Sequence, residues 1–173
     1  MEGFIMKKTI AKGVTGFCIL ALLLLSVFSV SAEPLLISPA PQEATVVLRV
    51  ADKDLDISKL PKAPYAEGNT YMVPLRMVGE ALGYNVSWDE TTGAITVEDA
   101  YTQIATLYEG TKNVSVKGKL KVIDLSRETE NAHETVIFDG VTYVPMEFFD
   151  EFFNHSSYAE GIIEIAPNMA YLD

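Results

Sequence analysis

Cysteine is almost missing from this 173-residue chain, with Cys18 as the only one. A lone thiol cannot close an internal disulfide, so the fold has to rest on apolar burial. Histidine is nearly as scarce, at His133 and His155. Copper and zinc centres want several imidazoles or thiolates in a convergent set, and this chain has few to offer. Basic side chains are also in short supply, 13 against 24 acidic ones, for a net charge of −11. Gripping a phosphate backbone requires clustered Lys and Arg, so nucleic acid is excluded as an expected partner. Tryptophan occurs once, at Trp88.

Long apolar runs are absent beyond residue 30, and the one before it has the layout of an export signal. Lys7, Lys8 and Lys12 form a basic start, residues 14–30 are uncharged and apolar, and Val30-Ser31-Ala32 is a small-residue cleavage site. Residues 1–32 are therefore expected to be removed. A retained anchor is the alternative, because the run approaches the about 20 residues that span a bilayer. Cys18 lies inside the run, behind Phe17, which does not fit a lipoprotein signal. Loss of Lys7, Lys8, Lys12 and Glu2 leaves 10 basic and 23 acidic side chains and no cysteine. The mature chain is expected to be secreted or extracellular, associated with the cell envelope, and off the membrane once cleaved.

Residues 33–45 carry Pro34, Pro39 and Pro41 without a period and read as a linker. Residues 46–167 form the expected domain, and 168–173 a tail. Short strands are predicted from period-two alternation. Val46, Leu48 and Val50 lead through Asp52-Lys53-Asp54 to Leu55 and Ile57. Val114 and Val116 lead through Lys117-Gly118-Lys119 to Leu120 and Val122, and residues 101–108 supply a connecting strand. An offset of 71 residues aligns residues 73–82 with 144–153, where Val73-Pro74 and Val144-Pro145 each open a short helix. Proline at the first helical position sacrifices no hydrogen bond. Gly83 and Asn154 are the expected helix terminators. A hairpin follows each helix, 85–88 with 94–98 and 157–159 with 162–166. The predicted fold class is α+β: antiparallel sheet or sheets of short hairpins with two short Pro-initiated helices, built from two imperfect repeats.

Residues 69–83, with Val86-Ser87-Trp88-Asp89 and Ile95-Thr96-Val97, closely resemble the copper amine oxidase N-terminal-like or stalk domain family. Lys117-Gly118-Lys119 and residues 140–145 resemble the family's second half. Met146-Glu147 stands where the family repeats Leu-Arg, and Phe-rich residues replace an Ala-Leu-Gly ending. The resemblance implies a non-catalytic α+β accessory module of exported Gram-positive proteins, often beside enzymatic or wall-binding domains.

Catalytic constellations are poor. Asp52 to Asp56 resembles the opening of a calcium loop, but Ile57 and Ala63 occupy the positions that need Gly and Glu. No nucleophile elbow, phosphate loop or HExxH is present. Glu147, Asp150 and Glu151 share one face of the second helix and read as a solvated face; their alternative is a small carboxylate-dependent envelope hydrolase. His133 and His155 are the only candidates for metal capture, the other alternative. The chain is read as an exported non-catalytic stalk-like module acting in binding or structural display at the bacterial cell envelope, no enzyme, with no cofactor and no metal. Aromatics are the best functional candidates. Tyr71, Tyr84, Tyr143 and Tyr158, with Arg76, are the expected binding surface for a cell-wall polymer or an envelope protein, while Trp88, in phase with Val86, is expected in the core.

Overall fold

A computed structural model describes residues 46–168. The export signal, the Pro-rich linker and nearly all of the tail lie outside the described residues. Among the described residues, no helix is long and apolar enough to cross a membrane.

Thirteen strands and two short helices follow in order: β1 (Val47–Val50), β2 (Lys53–Asp54), β3 (Tyr65–Glu67), β4 (Thr70–Pro74), α1 (Leu75–Ala81), β5 (Asn85–Trp88), β6 (Ala94–Glu98), β7 (Gln103–Tyr108), β8 (Asn113–Gly118), β9 (Arg127–Glu130), β10 (Val136–Phe138), β11 (Val141–Pro145), a 3-10 helix (Met146–Phe152), β12 (Asn154–Ala159) and β13 (Ile162–Pro167). The α+β class and the short hairpins are as expected. Among the described residues the strands form three sheets, ordered β12-β13-β1-β2, β10-β11-β4-β3 and β5-β6-β7-β8-β9. Among the described residues all strand-to-strand pairings are antiparallel but one, apart from an isolated parallel bridge between Glu109 and Thr135. β1 runs parallel to β13, with Leu48 opposite Ile163 and Val50 opposite Ile165, so the first strand of the domain closes on its last.

The alternation places Leu48, Val50, Val97, Ala105, Leu107, Val114, Ile163 and Ile165 in one buried apolar cluster with residues from both helices. At about 1.5–3 kcal/mol for each large apolar side chain fully buried, this cluster is the main source of stability in a domain with no cross-links.

Each helix starts directly from a sheet. Pro74 and Pro145 are not the first helical residues but the last extended ones, each at the N-cap position (ψ 109° and 141°). A strand end tolerates proline because no ladder donor is needed from it. α1 ends as expected at Gly83, whose φ of +82° accompanies Tyr84 N–H donating to Gly79 O (2.7 Å) and Gly83 N–H to Glu80 O (3.0 Å). These are the two bonds of a Schellman cap. Gly79 is needed for a different reason: a Cβ there would lie 2.9 Å from Cγ2 of Val86, so its absence lets α1 approach β5.

The second helix buries Phe148, Phe149 and Phe152. Its left-handed terminator is Phe153 (φ +60°), not Asn154. Asn154 opens β12 and is buried, and its Nδ2 donates back to Phe149 O (2.8 Å) and Phe152 O (3.3 Å). It caps the helix with its side chain rather than its backbone.

The expected partner of β8 is also corrected. Leu120 and Val122 are not a strand; Val122 is 87% exposed. Their place beside β8 is taken by β9, which pairs Val116 with Arg127 and Val114 with Thr129. Alternation alone could not find β9, whose sequence Arg-Glu-Thr-Glu carries no apolar face. β10, β11 and the 3-10 helix begin at 136, 141 and 146, each 71 residues after β3, β4 and α1. β4 and β11 pair antiparallel about Val73 and Val144.

Candidate binding surface

The five residues expected to form a binding surface do not gather on one. Tyr143 is fully buried in β11, and its hydroxyl donates to Lys62 O (2.5 Å). It is buried because the segment entering β3 covers it: its ring packs against Tyr65 at 5.8 Å between centroids, on the side of β11 opposite Val144 of the core cluster. Tyr84 follows α1 and packs on Phe152 at 5.1 Å between ring centroids. Its hydroxyl accepts from Asn154 Nδ2 (2.9 Å), and burial pushes its pKa up against the lowering effect of that bond. Tyr84 lines a hollow of about 400 Å³ with Leu82, Asp99, Phe152 and Asn154, bounded by Asn168 at the end of the described chain.

Tyr71 and Tyr158 do come together. Tyr71 projects from β4 and Tyr158 from β12, and their rings stack at 4.1 Å between centroids with 30° between planes. Bonding to Tyr158, with some desolvation, raises the Tyr71 hydroxyl pKa. Thr70, next to Tyr71 on β4, is buried and its Oγ1 donates to Glu147 Oε2 (2.5 Å). The stacked pair covers its own ground.

Arg76 lies elsewhere, on the first turn of α1. Its only ion pair among the described residues is with Glu80 at 3.8 Å, both side chains about 60% exposed. Such a surface i,i+4 pair contributes little and leaves the guanidinium usable. Arg76 borders a cleft of about 210 Å³ whose apolar floor is Val86 and Ile95, with Trp88 on one side and Ile137, Val141 and Thr142 of the β10–β11 hairpin on the other.

Trp88 is therefore not core. It shares the inward phase of Val86, as the sequence indicates, but it is the last residue of edge strand β5, and its indole is 58% exposed at the cleft mouth. Period-two reasoning gives the face of a strand. It does not tell whether anything stands opposite. A large exposed aromatic beside an apolar cleft and a cation can stack a ring and hold an anion.

The carboxylates of the second helix have separate partners and do not form one solvated face. Glu147 takes Thr70, Asp150 takes Ser156 Oγ (3.1 Å), and Glu151 takes Arg127 (2.5 Å) and Thr129 Oγ1 (3.1 Å). Burial raises the Asp150 pKa, opposed by its bonds from Ser156. His133 faces Glu67 (3.7 Å) and His155 is exposed on β12. Among the described residues no group of three or more His, Cys, Asp or Glu is placed to hold a metal ion. In the Asp52–Asp56 segment, Asp54 binds Arg49 (2.7 Å) and Asp56 binds the hydroxyl and N–H of Ser58 (2.6 and 3.1 Å).

The family model of the copper amine oxidase N-terminal domain matches residues 50–161, from the end of β1 to the turn before β13. No curated protein matches the chain. With the match covering well over half of its length, the chain belongs to the copper amine oxidase N-terminal domain family, and its domain is a non-catalytic one of the stalk type.

Proposed function

We propose that this protein is an exported stalk-like module that works by binding at the bacterial cell envelope, and that its domain consists of two diverged copies of one unit. The observation that carries the binding role is the open cleft beside Trp88 and Arg76 in a domain of a non-catalytic family. The leader supports export: a basic start, an apolar stretch and a small-residue cleavage site. An acidic, cysteine-free mature chain suits the outside of the cell without needing a redox environment.

The duplication is supported by three correspondences. β3, β4 and α1 have the lengths of β10, β11 and the 3-10 helix at a constant offset of 71 residues. Both helices leave a strand through Val-Pro. The central pairing Val73↔Val144, flanked by Met72↔Pro145 and Pro74↔Tyr143, maps onto itself when the two copies are exchanged. Beyond the helices the offset becomes 70, because the left-handed terminators are Gly83 and Phe153.

The test is co-sedimentation of residues 33–173 with isolated Gram-positive envelope fragments, native and stripped of protein. Retention on native fragments is the expected result. Failure to sediment with either preparation overturns the envelope-binding role, and retention on stripped wall alone identifies the polymer as the ligand.

A further inference from the structure

Exchange of the two copies brings the Trp88 cleft onto the Tyr71–Tyr158 stack. Trp88 faces Ile95 across the β5–β6 hairpin, and Tyr158 faces Ile163 across β12–β13, so each aromatic occupies the last inward pair before its turn. Thr142 faces Ile137 across β10–β11, and Tyr71 faces Ala66 across β3–β4. Arg76 and Glu147 are the second residues of their helices. Val141 corresponds in the same way to Thr70.

At the Tyr158 slot the space is filled from within. The ring of Tyr71 lies on Tyr158 at 4.1 Å, and Glu147, the residue equivalent to Arg76, accepts from Thr70, the neighbour of Tyr71. At the Trp88 slot the smaller Thr142 stands where Tyr71 would be, the larger indole of Trp88 replaces Tyr158, and the cleft is open. At its edge a cation, Arg76, replaces the carboxylate. The protein's own filled slot thus indicates what the open one fits: a planar aromatic ring, now accompanied by an anion instead of a donor. A long polyanion is disfavoured by the acidic surface, whereas a single carboxylate can pair locally with Arg76.

We propose that the Trp88–Arg76 cleft is a recognition slot for an aromatic side chain with an adjacent carboxylate, as at the C-terminus of a partner peptide that ends in Phe or Tyr. This deepens the binding role proposed above and rests on the two-copy reading.

Trp88 is the chain's sole tryptophan, so its emission reports the slot directly. Titration of residues 33–173 with N-acetylphenylalanine is expected to give a saturable change in Trp88 emission. N-acetylphenylalaninamide, which keeps the ring without the charge, and N-acetylleucine, which keeps the charge without the ring, are each expected to bind at least about tenfold more weakly. Arg76→Gln should bring the acid and the amide to equal affinity. Thr142→Tyr should fill the slot as Tyr71 does, shifting the unliganded emission to shorter wavelength and abolishing the response.

No saturable response of the wild type to N-acetylphenylalanine, equal affinity for its amide, or tighter binding of N-acetylmuramic acid overturns the ligand assignment. A folded Thr142→Tyr protein with unshifted emission overturns the two-copy reading instead. The wild-type titrations judge the slot even if that variant fails to fold.

Discussion

Arg127 of β9 and Glu151 of the 3-10 helix meet at 2.5 Å, and around this pair the only basic side chain after residue 121 ties the longest sheet to the second helix. Arg127 also donates to Glu151 O (3.0 Å), Leu125 O (2.9 Å) and Oε1 of the fully buried Gln103 (3.3 Å). Gln103 Nε2 in turn donates to Glu151 O. The guanidinium thus joins acceptors from the 3-10 helix, the β8–β9 loop and β7, sharing Glu151 O with Gln103 and the Glu151 carboxylate with Thr129.

Arg127→Ala is expected to destabilise the domain by about 1–3 kcal/mol, since it takes a donor from Oε1 of the buried Gln103 as well as removing a partly exposed ion pair. Arg127→Lys should recover only a small part, because one ammonium cannot span these acceptors. Denaturant midpoints of the two variants check this, and full rescue by lysine would show that charge alone matters.

Gly79→Ala is expected to cost about 1–3 kcal/mol through overpacking against the stiff Val86 side chain, 2.9 Å from the added Cβ. Adding Val86→Ala should make the two changes less than additive. A double-mutant cycle by thermal melting reads the coupling, and additive losses would place the strain elsewhere.

Asp99 turns β6 into β7. Burial works to raise its pKa, but hydrogen bonds from the Thr102 hydroxyl and from the N–H groups of Gln103, Thr102 and Tyr101 outweigh it and hold the carboxyl below its ordinary value. A carboxyl lowered in the folded state adds stability above its unfolded pKa of about 4, and this is lost as the pH falls through the folded pKa. Asp99→Asn should lower stability at neutral pH by about 1–3 kcal/mol and flatten the acid limb of the stability curve. Melting from pH 7 down to pH 2 tests both; an unchanged acid slope contradicts the assignment.

Val122→Ser and Ile123→Ser are expected to change stability by less than about 0.5 kcal/mol, because both side chains are mostly exposed in the loop between β8 and β9. A larger loss would mean that these residues pack as a strand after all.

That loop marks where the sequence stops being legible. The hairpin 85–88 with 94–98, the Gly83 cap and the buried faces of β1, β7 and β8 follow from alternation and turn chemistry, which are local. β9 has no apolar alternation and is found only through its register with β8. The parallel closure of β1 on β13 joins residues more than a hundred positions apart, and no local pattern encodes it. The candidate surface divided along the same line. Tyr143 is buried and Trp88 exposed, the reverse of what the sequence predicts, because a strand's period gives the direction of a side chain, while its exposure depends on what a distant element places opposite. At Tyr143 the β3 segment and Lys62 stand there; at Trp88 an open cleft does.

The Trp88 cleft is the surface through which this domain is proposed to bind. Its most direct test compares wild type and Trp88→Ala, both as residues 33–173, for retention on native envelope fragments, with thermal melting to verify the fold. With a largely exposed indole removed, the melting transition should stay close to that of the wild type while retention is lost. A folded Trp88→Ala protein that sediments with the fragments as fully as the wild type would contradict the account.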